Sequence, residues 1–117
     1  MPSREWRVRV EDMLEAIGRI EEFARGFDLD AFLKDRRTSD AIVRNLQIIG
    51  EAARTVPDEV TSRYPAVPWK MAREMRHVLV HAYFGVDLPT VWKTVQEDMP
   101  PLKAQLRTIL QTETEGR

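Results

Sequence analysis

The segment Arg76-His77-Val78-Leu79-Val80-His81-Ala82-Tyr83 holds both histidines of the chain, an arginine and one of its two tyrosines. Histidine titrates near neutrality and can move protons during a reaction. Arginine carries a permanent charge on a planar fork that matches phosphate oxygens two at a time. Together these groups suit metal-free cleavage of RNA. A ribose 2′-hydroxyl attacks the adjacent phosphate, histidine handles the protons, and arginine steadies the charge that develops. The same eight residues also read as a structural helix with hydrogen-bonded core histidines. A third reading is a metal site: His77 and His81 have i, i+4 spacing, and Glu74 or Asp87 offers a carboxylate. The glutamate placement of an HExxH helix is missing around them.

Helical geometry constrains how the groups can cooperate. Arg76 and Tyr83 are seven apart and share one stripe, whereas His77 and His81 share another. Arg76 and His81, five apart, point roughly 140° away from each other on an ideal helix. Either the last turn departs from ideal geometry, or two copies of the helix combine their groups across a two-fold axis. An isologous interface brings one segment to itself, so a homodimer with its site in the inter-subunit cleft is the expectation. For His81, a helix C-terminus favours the protonated ring, while burial beside Val80 and Phe84 opposes it.

The elements that must hold this segment are helical, because apolar residues recur with helical period and no stretch alternates for long. A first helix is predicted from about Ser3 to Arg25, with Trp6, Val10, Met13, Ile17, Ile20 and either Phe23 or Phe27 inward. Gly26 offers its stop, and residues 27–37 read as a linker with a single helical turn. A second helix is expected to begin near the capping cluster Thr38-Ser39-Asp40 and to end at Pro57. Its stripe is Ile42, Leu46, Ile49, Ala53 and Val56. Gly50 lies inside it at a cost of about 1 kcal/mol relative to alanine, which close approach of another helix would explain. Three prolines mark residues 57–68 as an irregular connection, and Pro68 suits the first turn of a third helix that stops at Gly85. A fourth starts near Asp87 with Pro89 in its first turn and buries Leu88, Val91 or Trp92, Val95 and Met99. Pro100-Pro101 are expected to break it and open a fifth, with Leu102, Leu106, Ile109 and Leu110 inward. Trp69 and Trp92 are assigned to packing. The expected architecture is all-α, one antiparallel up-and-down bundle of four to five helices over residues 1–117.

Composition sets outer limits. Hydrophobic residues make up 43% and charged residues 32%, an ordinary globular balance. No run reaches the roughly 20 apolar residues of a membrane span, and the amino terminus is charged almost from its start, unlike a secretory signal. Without cysteine there is no disulfide, thiol nucleophile or thiolate metal site. A cytoplasmic protein is the expectation. The net charge of −1 gives no general attraction for nucleic acid, but Arg63, Lys70, Arg73 and Arg76 face only Glu74 between residues 63 and 77. Such a patch can hold phosphates, or it can be a solvated helix face.

The pattern Arg76, four residues, His81, Ala82, Tyr83 resembles the signature of the HepT-like toxins of the HEPN superfamily. The flanks resemble the family too: AIVRNLQIIGEAA at 41–53, YPAVPWKMAREMRHVLVHAYFGVD at 64–87 and VWKTVQEDMPPLKAQL at 91–106. The resemblance implies a dimeric helical bundle with endoribonuclease activity that needs no metal or other cofactor. It implies Arg76 and His81 as catalytic residues and cellular RNA as substrate. It further implies a toxin neutralised by a minimal nucleotidyltransferase antitoxin, which can attach AMP to the motif tyrosine, here Tyr83. Where the family often has asparagine or aspartate after the arginine, this chain has His77. His77, Arg73, Arg44 and Glu51 are the expected supporting residues, the last two seven apart on the second helix and lining the cleft or forming an ion-paired face. The alternative function is a binding module that pairs with a nucleotidyltransferase, or takes nucleotide, without cutting RNA; a metal-dependent hydrolase ranks third.

Overall fold

The computed structural model describes residues 5–77 and 87–115, with side chains to Thr112. Its elements are α1 (Glu5–Ala24), α2 (Leu29–Lys34), α3 (Arg36–Arg54), α4 (Asp58–Thr61), α5 (Trp69–Glu74), α6 (Leu88–Lys93) and α7 (Met99–Glu115). A 3-10 turn, Met75–His77, continues α5, and a π turn, Thr94–Asp98, joins α6 to α7. Among the described residues there is no strand, as the all-α expectation requires. No helix among them is long and apolar enough to cross a membrane.

α1 follows its sequence pattern closely. Trp6, Val10, Met13, Ile17 and Ile20 are buried, and Gly26 turns the chain out of the helix with φ +81°, a conformation glycine adopts without strain. Of the two alternatives for the last inward position, Phe27 is half-buried and Phe23 is 41% exposed. α3 packs along α1, and the core between them is built from Ile42, Leu46 and Ile49, none with exposed surface. Each such side chain contributes about 1.5–3 kcal/mol by leaving water. α2 is longer than the single turn expected of residues 27–37. Asp28 caps it by accepting from the Ala31 N–H at 2.9 Å, and Phe32 packs its ring 4.9 Å from that of Trp92.

Two boundaries differ from the sequence reading. α3 begins at Arg36, before the Thr38-Ser39-Asp40 cluster, because Asp35 takes the capping role and accepts from the Thr38 N–H at 3.0 Å. Pro100 and Pro101 do not break the fourth helix. The Met99 N–H donates to the Thr94 carbonyl five residues back, and this wider turn shifts the register ahead of the prolines. Both then fall in the first turn of α7, where a missing N–H costs little. The result is unbroken helix from Leu88 to Glu115 in place of two helices. Val91, Val95, Met99, Leu102, Leu106 and Ile109 run along its inner side.

The irregular connection after α3 holds one helical turn, α4, which buries Val60. Trp69 is buried as expected and donates its indole N–H to the Tyr64 carbonyl at 3.0 Å. At the start of α6, Asp87 accepts from the backbone N–H of Thr90 at 3.2 Å and from its hydroxyl. The hydroxyl bond first, then the backbone bond, hold the Asp87 carboxyl below the usual aspartate range. A depressed carboxyl stabilises the fold above its unfolded pKa of about 3.9, and that contribution is lost as pH falls through the lower folded value. Asp87→Ala is therefore expected to lower the thermal midpoint at pH 7, and the gap to wild type should close only below about pH 3.9. Thermal melts of both proteins at pH 7 and pH 2.5 check this.

Candidate functional site

α5 starts after Pro68, whose backbone opens the helix, and runs as an α-helix only to Glu74. Its continuation at Met75–His77 tightens to 3-10 geometry, so the straight α-helix assumed from residue 69 onward is not what carries Arg76. About three residues per turn instead of 3.6 changes the offset of positions five apart only from about 140° to about 120°. His81 and Tyr83 themselves, and the stop at Gly85, lie outside the described residues.

What anchors Arg76 is α3. A Cβ placed on Gly50 would stand 2.2 Å from the Arg76 backbone nitrogen, 2.8 Å from its Cα and 2.9 Å from its Cβ. The expected close approach at Gly50 is real, and its partner is the turn bearing the motif arginine. Met75, immediately before, is 4% exposed and packs the turn onto the core. Arg76 itself is half-buried and has no ion-pair partner among the described residues, and His77 is exposed.

Arg73 points back to α3. Its Nε donates to the Ala53 carbonyl at 3.4 Å, and its guanidinium lies 3.9 Å from the Asp58 carboxylate. It thus satisfies a carbonyl in the last turn of α3, where basic side chains sit favourably. Glu74 and Lys70 are exposed on the outer side of α5.

Arg44 and Glu51 do come together, in a groove of about 550 Å³ between α1 and α3. Arg9, Asp12, Glu15 and Arg19 supply its α1 wall, and Gln47 stands beside Arg44 on the other. The groove is an ion-paired surface, but its pairs are not Arg44 with Glu51. Arg9 binds Asp12 at 3.0 Å, Arg19 binds Glu15, and Glu51 takes Arg54 at 3.2 Å. Arg44 remains without an ion pair among the described residues, so its charge is available to a ligand phosphate or a protein carboxylate. Arg76 does not line this groove. Within one copy, Arg44 and Glu51 line the groove toward α1 while Gly50 lies against the arginine turn. The α1 residues of the groove escaped sequence reasoning because i, i+3 and i, i+4 charge pairs are ordinary on exposed helix faces.

The all-helical fold is consistent with a HEPN-type class. Within that class the match is specific: the model of the family described as ribonuclease HepT-like covers residues 13–109, and the chain belongs to this family. The chain is 45% identical over 100 residues to the "Probable ribonuclease HepT" of Thermococcus cleftensis, covering 86% of this chain and 91% of that one. A Methanocaldococcus jannaschii protein provisionally named an RNase is 34% identical over 109 residues, 93% of this chain and 100% of its own. Another protein so named, from Caldanaerobacter subterraneus, is 37% identical over 107 residues, covering 92% and 96%. No solved structure matches the chain significantly.

Proposed function

We propose that the protein is a metal-independent endoribonuclease in which Arg76 and His81 act on the scissile phosphate. The observation that carries this reading is the Arg76-to-Tyr83 motif within a chain of the ribonuclease HepT-like family. In the proposed step the ribose 2′-oxygen bonds to phosphorus as the bond to the 5′-oxygen breaks. The 2′-proton passes to a base and the leaving 5′-oxygen receives one, both transfers suited to histidine. Arg76 stands against the charge on the non-bridging oxygens. A half-buried arginine with no carboxylate partner among the described residues suits this role. His77 and Arg44 add positive charge along the RNA path, Glu51 holds the groove wall beside Arg54, and Arg73 braces the turn against α3.

The active species in this reading is a homodimer whose cleft gathers the motifs of both copies, a cytoplasmic toxin controlled by a nucleotidyltransferase antitoxin that transfers AMP to Tyr83. Its support is the family signature, together with the five-residue spacing that turns Arg76 and His81 away from each other on a single helix. A binding module that takes RNA or nucleotide without cleavage remains the second reading, and Arg76, with its unpaired charge, would serve it equally well.

The mechanism is tested with an RNA oligonucleotide carrying a single 2′-deoxy nucleotide at the mapped cleavage position. Cleavage should stop at that position and continue elsewhere. Continued cutting at the deoxy position would exclude attack by the 2′-hydroxyl, and binding of intact RNA without any cutting would favour the module.

A further inference from the structure

We infer that Gly50 is a positioning residue for Arg76: its missing side chain lets the arginine-bearing turn lie directly on α3 and so sets where the guanidinium begins. The inference rests on the ribonuclease reading of Arg76. Non-bonded carbons settle about 3.5–4.0 Å apart, whereas a methyl on Gly50 would meet Arg76 at 2.2, 2.8 and 2.9 Å. The three atoms it would meet are backbone nitrogen, Cα and Cβ. None is the tip of a flexible side chain that can swing aside, so relief requires moving the turn itself by roughly 1 Å.

Glycine is not there for its backbone. Gly50 lies within a regular helix, four residues before its end, and Gly26 alone among the described residues has positive φ. A glycine within a helix weakens it, and the compensation visible at Gly50 is contact with Arg76. Gly18, inside α1, shows the contrast, with nothing within 4 Å of its added Cβ. The turn is held at a second point as well, through the bond from Arg73 Nε to the Ala53 carbonyl. Gly50 and Ala53 are one helical turn apart, so the two contacts together fix the direction in which residues 75–77 leave α5. Catalytic groups tolerate little displacement; an error of about 1 Å can cost about 100-fold in rate.

The test compares Gly50→Ala with Gly18→Ala and with Ile17→Ala, a core truncation on α1 far along the chain from the turn. Rates on an RNA oligonucleotide are normalised to the folded fraction at 10 °C, and backbone amide resonances of Met75, Arg76 and His77 are recorded by NMR. Gly50→Ala should lose about 100-fold in kcat with KM changed less than about threefold, and its three amides should shift. Gly18→Ala should keep the wild-type rate and amide positions, and Ile17→Ala should melt earlier yet keep its rate per folded molecule. A folded Gly50→Ala with wild-type kcat would overturn the inference, as would an equal rate loss in Ile17→Ala. Failure of Gly50→Ala to fold, even combined with Gly18→Ala, would assign Gly50 to the fold and overturn it also. If wild type cuts no RNA, the ribonuclease reading falls; shifted amides in Gly50→Ala would still uphold the contact, and unshifted ones would overturn it.

Discussion

Arg76→Ala is expected to slow RNA cleavage by about 10²–10³-fold at saturating substrate, the range typical of removing one preorganised donor to a developing oxyanion. The fold should survive the change. Arg76 is half-buried and has no ion-pair partner among the described residues, so its loss orphans none of the described carboxylates. The contacts that seat its turn, at Gly50 and through Met75, involve backbone and a neighbouring side chain. Arg76→Lys should fall between alanine and wild type, because an ammonium keeps the charge but not the planar fork. Single-turnover rates on an oligonucleotide, with melting curves for all three proteins, measure this. Cleavage by Arg76→Ala within about threefold of wild type would remove Arg76 from the transition state.

The second large effect concerns Tyr83. In the proposed regulation the Tyr83 hydroxyl takes AMP from ATP as pyrophosphate leaves, and a bulky phosphodiester anion seven residues from Arg76 in sequence is expected to exclude RNA and repel its phosphates. Incubation with a nucleotidyltransferase partner and ATP is expected to reduce cleavage by about 100-fold or more, a repulsion and blockade of a few kcal/mol. Tyr83→Phe should cut RNA at close to the wild-type rate and be unaffected by the same treatment. Mass spectrometry of the modified chain, paired with cleavage rates, provides the readout. Neutralisation of Tyr83→Phe accompanied by covalent modification elsewhere would move the control point away from Tyr83.

Much of the scaffold was legible because burial leaves a periodic trace. The stripe from Trp6 to Ile20 in α1 and from Ile42 to Ala53 in α3, with Val56 just past its end, is buried in the structure as the spacing predicts. At the end of α1 the spacing leaves Phe23 and Phe27 open, and Phe27 is the half-buried one. Boundaries were harder, since several oxygens compete for one capping role: Asp35 precedes the Thr38-Ser39-Asp40 cluster and wins by geometry that spacing does not encode. The prolines at 100 and 101 misled for a related reason. Their effect depends on register, and the π turn from Thr94 to Asp98 supplies a register that periodicity at 3.6 residues cannot show.

The candidate site was legible in chemistry more than in placement. Residue types announce Arg76 and the family signature around it, and Gly50 announces a close approach. That the two meet is tertiary information, visible only once α3 and the 3-10 turn are packed. Arg44 and Glu51 share a groove as their seven-residue spacing suggests, yet Glu51 is paired with Arg54, a choice between two arginines that spacing leaves open.

The most direct measurement is cleavage of a mixed RNA pool in EDTA by the wild-type protein and by His81→Ala, with both shown to be folded. Cleavage by wild type together with a loss of about 10²–10⁴-fold in His81→Ala is the predicted result, the contribution expected of a proton-transfer group. Equal cleavage by the two proteins, or wild-type activity abolished by EDTA, would contradict a metal-independent ribonuclease working through His81.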